Sequence, residues 1–176
     1  MYTGITKMSK EAKVNEEIID KIGKTSRETI ENMSDIVWSI QPKNDNFKLV
    51  LDTMEHFGNH IIGGAGIEFN FTYPNGIEHL LLNMEQRKNL YLIYKEGLNN
   101  SAKYSKATIV NTSLERRKKR IILTIKDDGI GFNQKEVKNG NGLHNMKERA
   151  QSLQGNFEIN SNLGKGTSII LSFKTS

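Results

Sequence analysis

The chain of 176 residues contains no cysteine, which excludes disulfide frameworks, thiolate metal sites and cysteine nucleophiles. The lack of cysteine is compatible with a reducing cytosol, and we expect a cytoplasmic location even if a longer parent protein is membrane-anchored. No apolar run approaches the ~20 residues of a membrane span, so no membrane contact is expected of this part. The polar stretch from Met1 to Lys13 does not resemble a signal peptide.

Proline is also scarce, and its two positions are Pro42 and Pro74, so nothing interrupts a helix over Ser9 to Ile40. Apolar or small residues recur there in steps of three and four, at Ile19, Ile22, Ser26, Thr29, Met33, Ile36 and Ile40. This spacing predicts an amphipathic helix of roughly 48 Å that packs in a bundle or folds back on its own domain. The bundle is favoured, with a domain boundary at Pro42 that separates residues 1–42 from 43–176.

The formal charge of +5 raises the question of nucleic-acid binding, because Glu115 to Arg120 is a dense basic cluster. Runs of β-favouring residues flank it, at Ala107 to Leu114 and Ile121 to Lys126, which makes the cluster the tip of a hairpin. Neither a recognition helix nor stacking aromatics accompany it. A solvated hairpin tip is therefore favoured, and no nucleic-acid partner is expected.

The remaining patterns predict alternating helices and strands. Helices are expected at about Asn46 to Ile62, Met84 to Ala102 and Leu143 to Leu153, and further strands at Ile67 to Phe71, Phe157 to Asn160 and Thr167 to Phe173. Together with the hairpin, they predict an α/β domain.

The most informative stretch is Asp127-Asp128-Gly129-Ile130-Gly131, which follows a predicted strand. A carboxylate can accept a hydrogen bond from an exocyclic amine, and glycine backbone can approach a flat ring or a phosphate closely. Glu96 and Asn100 lie upstream at positions i and i+4 of a predicted helix. These residue types predict a nucleotide site.

Four motifs in order strengthen that prediction. They are Glu96-x-x-x-Asn100 with Lys103-Tyr104, Asp127-x-Gly129-x-Gly131, Gly140-x-Gly142-Leu143, and Gly164-x-Gly166-Thr167. This series resembles the nucleotide-binding boxes of the ATPase superfamily shared by gyrase, the ninety-kilodalton heat-shock chaperone, sensor histidine kinases and the MutL proteins. The resemblance implies a Bergerat-type fold, which is an α/β sandwich with helices on one face of a mixed sheet. It also implies binding of ATP and Mg²⁺.

Two further segments resemble the nitrate-sensor branch of the histidine kinases. Ile36 to Pro42 is similar to the end of the second helix of their dimerisation and phosphotransfer bundle, and Asn145-Met146-x-x-Arg149-Ala150 is similar to the segment after their second glycine box. About ten residues separate Gly131 from Gly142, which implies a short ATP lid. The branch implies a homodimer through the N-terminal helix and a response regulator receiver domain as phosphate acceptor.

The phosphoacceptor of that branch is a histidine followed directly by an acidic residue. The four histidines here, His56, His60, His79 and His144, precede Phe57, Ile61, Leu80 and Asn145. None has the required context, so all four are expected to be surface or packing residues. We therefore expect the second bundle helix and the catalytic domain of a larger kinase, with the phosphoacceptor on another helix.

The resemblance also implies roles at the phosphate side of the site. Asn100 would bind Mg²⁺ and orient the phosphates beside Asn99, and Glu96 would act as general base or polarise the attacking histidine. Lys103 and Tyr104 would contact phosphate and ribose. An amide oxygen suits Mg²⁺ when water and phosphate oxygens complete its coordination. The alternatives are a solvated Asn100 and a core position for Tyr104.

At the adenine side, Asp127 would accept from the amino group, while Gly129 and Gly131 pass close to the base and Thr167 reaches the adenine. Asp127 as a simple turn carboxylate is the alternative. Gly140, Gly142 and Leu143 would place phosphate at a helix N-terminus, where free N–H groups and the helix dipole favour anions.

Two other functions stay open at this point. An anti-sigma-factor serine kinase shares the boxes but normally has no long helix ahead of the domain. A non-catalytic nucleotide-binding interaction module is the other, although every box keeps its polar residues.

Overall fold

The computed structural model describes residues 47–133 and 141–175. The long N-terminal helix, the Pro42 boundary and Gly140 lie outside the described residues, so the expectations about them stay predictions.

The centre of the described part is a five-stranded sheet in the order β1-β2-β3-β5-β4. The strands are Glu68–Thr72 (β1), Ile109–Arg117 (β2), Arg120–Asp127 (β3), Asn156–Ser161 (β4) and Thr167–Lys174 (β5). β1 pairs with β2 in parallel and the other pairs are antiparallel. The predicted mixed sheet is confirmed.

The hairpin between β2 and β3 is tighter than the sequence predicts. Cross-strand pairing continues to Arg116 opposite Ile121 and Arg117 opposite Arg120, so only Lys118 and Lys119 form the turn. The strands extend into the basic cluster because backbone hydrogen bonding does not require apolar side chains at an exposed end.

Three α-helices are described, at Phe47–Gly64 (α1), Met84–Asn100 (α2) and Asn141–Ser152 (α3), with a 3₁₀ turn at Ile77–His79. Two boundaries differ from the prediction. α1 continues past its predicted end at Ile62 through Gly63 and Gly64, and the chain reverses at Gly66, which has a φ of 74°. α2 ends at Asn100, and residues Ser101–Ser105 form a π-helical turn.

The helices pack on one face of the sheet, as predicted. Along β3, Ile121, Leu123 and Ile125 are buried, while Ile122 and Thr124 on the opposite face are partly exposed. α2 approaches this face so closely that a Cβ atom at Gly97 would lie 2.6 Å from Cδ1 of Ile125. The predicted apolar face of α2 is fully buried, and it consists of Leu90, Ile93, Tyr94 and Leu98. Burial of each such side chain contributes roughly 1.5–3 kcal/mol.

The sheet and α2 define two opposite ends of the domain. α2 begins at a capping box formed by Asn83 and Gln86, and the Gln86 side chain donates to the carbonyl of Lys174. We call this the hairpin end, since the Lys118–Lys119 turn also lies there. The other end holds Asp127, Thr167 and the C-terminus of α2, and we call it the box end.

Candidate nucleotide site

Asp127 is the last residue of β3, and its side chain is 4% exposed. Its Oδ1 accepts from the backbone N–H groups of Gly129 at 3.0 Å and Thr167 at 3.1 Å. Its Oδ2 accepts from the hydroxyl of Ser101 at 3.1 Å. A carboxylate offers about four acceptor positions, so one position remains on Oδ2. The bond to Gly129 is the expected turn contact, but the burial and the two distant donors exceed what a turn requires.

The glycines of the first and last boxes lie in backbone-to-backbone contacts. A Cβ atom at Gly129 would lie 2.2 Å from the carbonyl oxygen of Ser105, and one at Gly166 would lie 2.1 Å from that of Asp127. Gly131 has φ of 59° and would bring a Cβ atom within 2.1 Å of the Asn162 oxygen. These glycines therefore allow the loops around Asp127 to pack together, whether or not a ligand is bound.

The predicted phosphate residues lie at the C-terminal end of α2. Nδ2 of Asn100 donates to Oε1 of Glu96 at 3.3 Å, one helical turn away. That contact uses the amide nitrogen and leaves the Asn100 oxygen available as a ligand. Asn99 is partly exposed beside them.

Lys103 and Tyr104 lie on the π-helical turn, and both are exposed. The Tyr104 side chain is 69% exposed, so the alternative of a core position for Tyr104 is wrong. The π turn adds a residue to the helix and presents these two side chains outward while Ser101 and Ser105 turn inward.

The second glycine box contacts Glu96 directly. Gly142 lies in the first turn of α3, where a Cβ atom would be 2.0 Å from Oε1 of Glu96. Leu143 next to it is partly buried. Further along α3, burial lowers the pKa of Arg149, and the nearby carboxylates of Glu96 and Glu148 act in the opposite direction. The carboxylate of Glu96 thus lies between Asn100 of its own helix and the N-terminal part of α3.

Three serines support the site without having been predicted. Ser101 donates to Asp127, and Ser105 donates to the Ser101 carbonyl at 2.6 Å while its own carbonyl accepts from the Ile130 N–H at 2.7 Å. Ser161 accepts from the Phe132 N–H at 2.9 Å and lies 3.0 Å from Oγ1 of Thr167. The four-residue spacing of Ser101 and Ser105 was a visible signal, but their orientation depends on the π turn.

The second carboxylate of the Asp127-Asp128 pair has a different environment. Asp128 is exposed, and it accepts from the hydroxyl and N–H of Thr108 and from the N–H of Ile109. The hydrogen bond from the Thr108 hydroxyl, together with the two backbone bonds, lowers the pKa of the Asp128 carboxyl. Asp128 therefore fixes the start of β2, while Asp127 is the buried carboxylate of the pair.

All four histidines are exposed, as predicted, and His144 lies 3.3 Å from Glu148 on its own helix. Within residues 47–133 and 141–175, no three side chains of the His, Asp and Glu types form a group that would hold a metal by themselves. In the same ranges, no helix has the length and apolar character needed to cross a membrane.

Residues 85–176 match the family of histidine kinase-, DNA gyrase B- and HSP90-like ATPases. The chain belongs to this ATPase family. It is 40% identical over 84 residues to the histidine-protein kinase/phosphatase DegS of Brevibacillus brevis, covering 47% of this chain and 22% of that protein. It is 31% identical over 156 residues to the sensor histidine kinase ComP of Bacillus subtilis, covering 87% of this chain and 19% of that protein. The chain thus spans about a fifth of the length of these relatives.

Solved structures confirm the ATPase fold. The blue-light activated histidine kinase of Erythrobacter litoralis EL346 superposes with a TM-score of 0.67 at 17% identity, over 84% of this chain and 47% of that chain. The mycobacterial sensor histidine kinase MprB superposes with a TM-score of 0.56 at 19% identity, over 73% of this chain and 93% of that chain. The predicted fold class and the resemblance to a histidine kinase ATPase domain are confirmed, while the nitrate-sensor branch stays a prediction.

Proposed function

We propose that this ATPase domain binds ATP with Mg²⁺ and serves as the catalytic part of a sensor histidine kinase. The γ-phosphate would pass to a histidine on a separate bundle helix and then to the receiver domain of a response regulator. Dimerisation through the N-terminal helix and a cytoplasmic location belong to the same proposal. The names of the relatives support a histidine kinase over a serine kinase or a non-catalytic module.

The observation that carries the proposal is the single remaining acceptor position on buried Asp127. A buried carboxylate oxygen with room for one more donor fits the exocyclic amino group of adenine. Guanine presents a carbonyl oxygen at the corresponding position, which would place two acceptors against each other at a cost of about 1–3 kcal/mol. Selection of ATP over GTP is expected for this reason.

The arrangement at the end of α2 supports phosphate binding. Asn100 uses its amide nitrogen in the bond to Glu96, and its amide oxygen is the proposed Mg²⁺ ligand. The exposed ammonium of Lys103 and the first turn of α3 at Gly142 supply positive charge nearby. Bound Mg²⁺ would neutralise phosphate charge, and the residues of the domain would position the reactants for in-line transfer. Glu96 would then orient the attacking histidine or take its proton.

Titration of a fluorescent ATP analogue, with and without Mg²⁺, tests the site. Mg²⁺ should tighten binding to the wild type but not to Asn100→Ala. Asn59→Ala is a matched control, since Asn59 is exposed on α1. Unchanged affinity in every comparison would remove Asn100 from the metal site, and equal competition by GTP would contradict the role of Asp127.

Incubation with radiolabelled ATP tests the transfer reaction. The chain alone should acquire no acid-labile, base-stable label, because no histidine on it has the phosphoacceptor context. A separate peptide that carries the first bundle helix of a histidine kinase should become labelled when the chain is added. Stable phosphohistidine on His56, His60, His79 or His144 would overturn the assignment of these residues, and an acid-stable phosphoserine on a partner would favour the serine kinase.

A further inference from the structure

A strongly basic surface lies at the hairpin end, separated from Asp127 by the length of β3, roughly 23 Å at 3.3 Å per residue. We call it the basic surface, and its cations are Arg116, Arg117, Lys118, Lys119, Arg120 and Lys174. Glu115, 2.8 Å from Arg117, is the only carboxylate among residues 115–120. Together these residues carry a net charge of +5, as large as the formal charge of the whole chain.

The pairing of the strands brings like charges together. Arg117 stands directly opposite Arg120, and Arg120 stands directly opposite Lys174. Like charges at directly opposed positions destabilise a sheet, so the fold itself gains nothing from this arrangement. In the described part of the chain, the ammonium groups of Lys118, Lys119 and Lys174 form no ion pair. The surface therefore holds positive charge that an anionic partner would neutralise.

A cleft of about 610 Å³ adjoins the basic surface. Lys119, Arg120 and Lys174 form one wall, and the start of α2 and the turn after α3 form the other. Among the described lining residues, Glu85 is the only one with a carboxylate. The other uncharged polar side chains are amides and hydroxyls, namely Asn83, Gln86, Ser152, Gln154 and Thr175. Asn83 and Gln86 are engaged in the capping box, while the amide of Gln154 and the hydroxyl oxygens of Ser152 and Thr175 can exchange hydrogen bonds with peptide groups. Arg120 is anchored by bonds from Nη2 to the carbonyl and hydroxyl of Ser172, both of which are uncharged.

We propose that the basic surface and its cleft bind an acidic segment of a partner protein. The cations are distributed over three strands, so they match several spaced carboxylates better than one small anion. None of the described residues that line the cleft is aromatic, so they do not provide the stacking that single-stranded nucleic acid uses. A flat bilayer would reach the hairpin turn but not the cleft between α2 and β5. This surface is independent of the proposed nucleotide chemistry at the box end.

The test uses a fluorescein-labelled ten-residue peptide of alternating Glu and Ser, with a Lys and Ser peptide as charge control. The acidic peptide should bind the whole chain and release as salt is raised. Lys119→Glu with Lys174→Glu should weaken binding by about tenfold or more, since two contacts become repulsive. Lys126→Glu with Lys147→Glu is the matched control, because it gives the same net charge at exposed positions outside the basic surface.

Thermal unfolding verifies that each variant folds, independently of ATP binding, and Lys119→Gln with Lys174→Gln repeats the test without charge reversal. Equal loss of affinity in the surface and control variants would overturn the proposal, since binding would then follow net charge alone. Tighter binding of a duplex oligonucleotide or of phosphatidylserine vesicles than of the acidic peptide would also overturn it. Retained ATP affinity in the surface variants would show that the two ends act separately.

Discussion

The two ends of the domain differ in how their polar groups are used. At the box end, buried Asp127 accepts hydrogen bonds from three donors on three separate segments. Glycine backbones there meet at distances that exclude a Cβ atom. At the hairpin end, Arg117 stands opposite Arg120 and Arg120 stands opposite Lys174. Arg117 and Lys174 are exposed, and Arg120 is partly exposed. The box end is therefore specified by contacts within the chain, whereas the hairpin end is tolerant of substitution. Substitutions matched between the two ends test this contrast.

Asp127→Ala is expected to have the largest effect. It leaves Ser101, Gly129 and Thr167 without their acceptor in a buried position, at a cost of roughly 3–5 kcal/mol in the free energy of unfolding. Lys119→Ala at the hairpin end should change this free energy by less than about 0.5 kcal/mol. Urea unfolding measures both. Similar stability of the two variants would remove the contrast between the ends.

Gly129→Ala tests the backbone contact without touching a polar side chain. The added Cβ would lie 2.2 Å from the Ser105 carbonyl oxygen, so the loops must separate, at a cost of about 2–4 kcal/mol. Gly63→Ala is the matched control, because no atom lies within 4 Å of its Cβ position in α1. The control should be neutral or stabilising by up to about 1 kcal/mol. A destabilisation of equal size at both positions would contradict the importance of the Ser105 contact.

A third test separates two roles of Gly142. Gly142 either leaves the N-terminus of α3 open for phosphate or leaves space for the Glu96 carboxylate, 2.0 Å from its Cβ position. We expect Gly142→Ala to slow phosphotransfer by displacing Glu96. In a double-mutant cycle with Glu96→Gln, the two changes should then show a coupling of about 1–2 kcal/mol.

Single-turnover labelling of the acceptor helix supplies the rates for this cycle, and ATP affinity is measured in parallel. Additive effects on the rate, together with weaker ATP binding in Gly142→Ala, would assign Gly142 to phosphate and not to Glu96.

The smallest expected effect concerns Asp128 and acid. Hydrogen bonds from Thr108 and Ile109 lower its pKa in the folded state, so the folded protein favours the ionised carboxylate. The ionised carboxylate therefore contributes to the free energy of unfolding. This contribution is fully present above the ordinary pKa of about 4, and it is lost as pH falls through the lower pKa of the folded state. Asp128→Asn should therefore flatten the loss of stability below about pH 4. Unfolding curves at neutral and acid pH compare the variant with the wild type, and parallel losses would remove Asp128 from the acid response.

The sequence by itself determined the order of helices and strands and the position of the four boxes. These features depend on short-range patterns: the alternation along β3, the spacing of Leu90 and Leu98 on α2, and Glu96 and Asn100 one turn apart. Such patterns act between neighbours in the chain, so they can be recognised without knowledge of the fold.

Only the tertiary structure decided which groups meet. The bond from Ser101 to Asp127, the contact of Gly129 with Ser105 and the position of Gly142 against Glu96 join separate segments of the chain. The π turn after α2 rotates Ser101 inward and exposes Tyr104, and no local pattern predicted that rotation. The like charges of Arg117, Arg120 and Lys174 become neighbours through strand register alone. Contacts of this kind arise from packing of the whole sheet, which the residue pattern of any one segment does not specify.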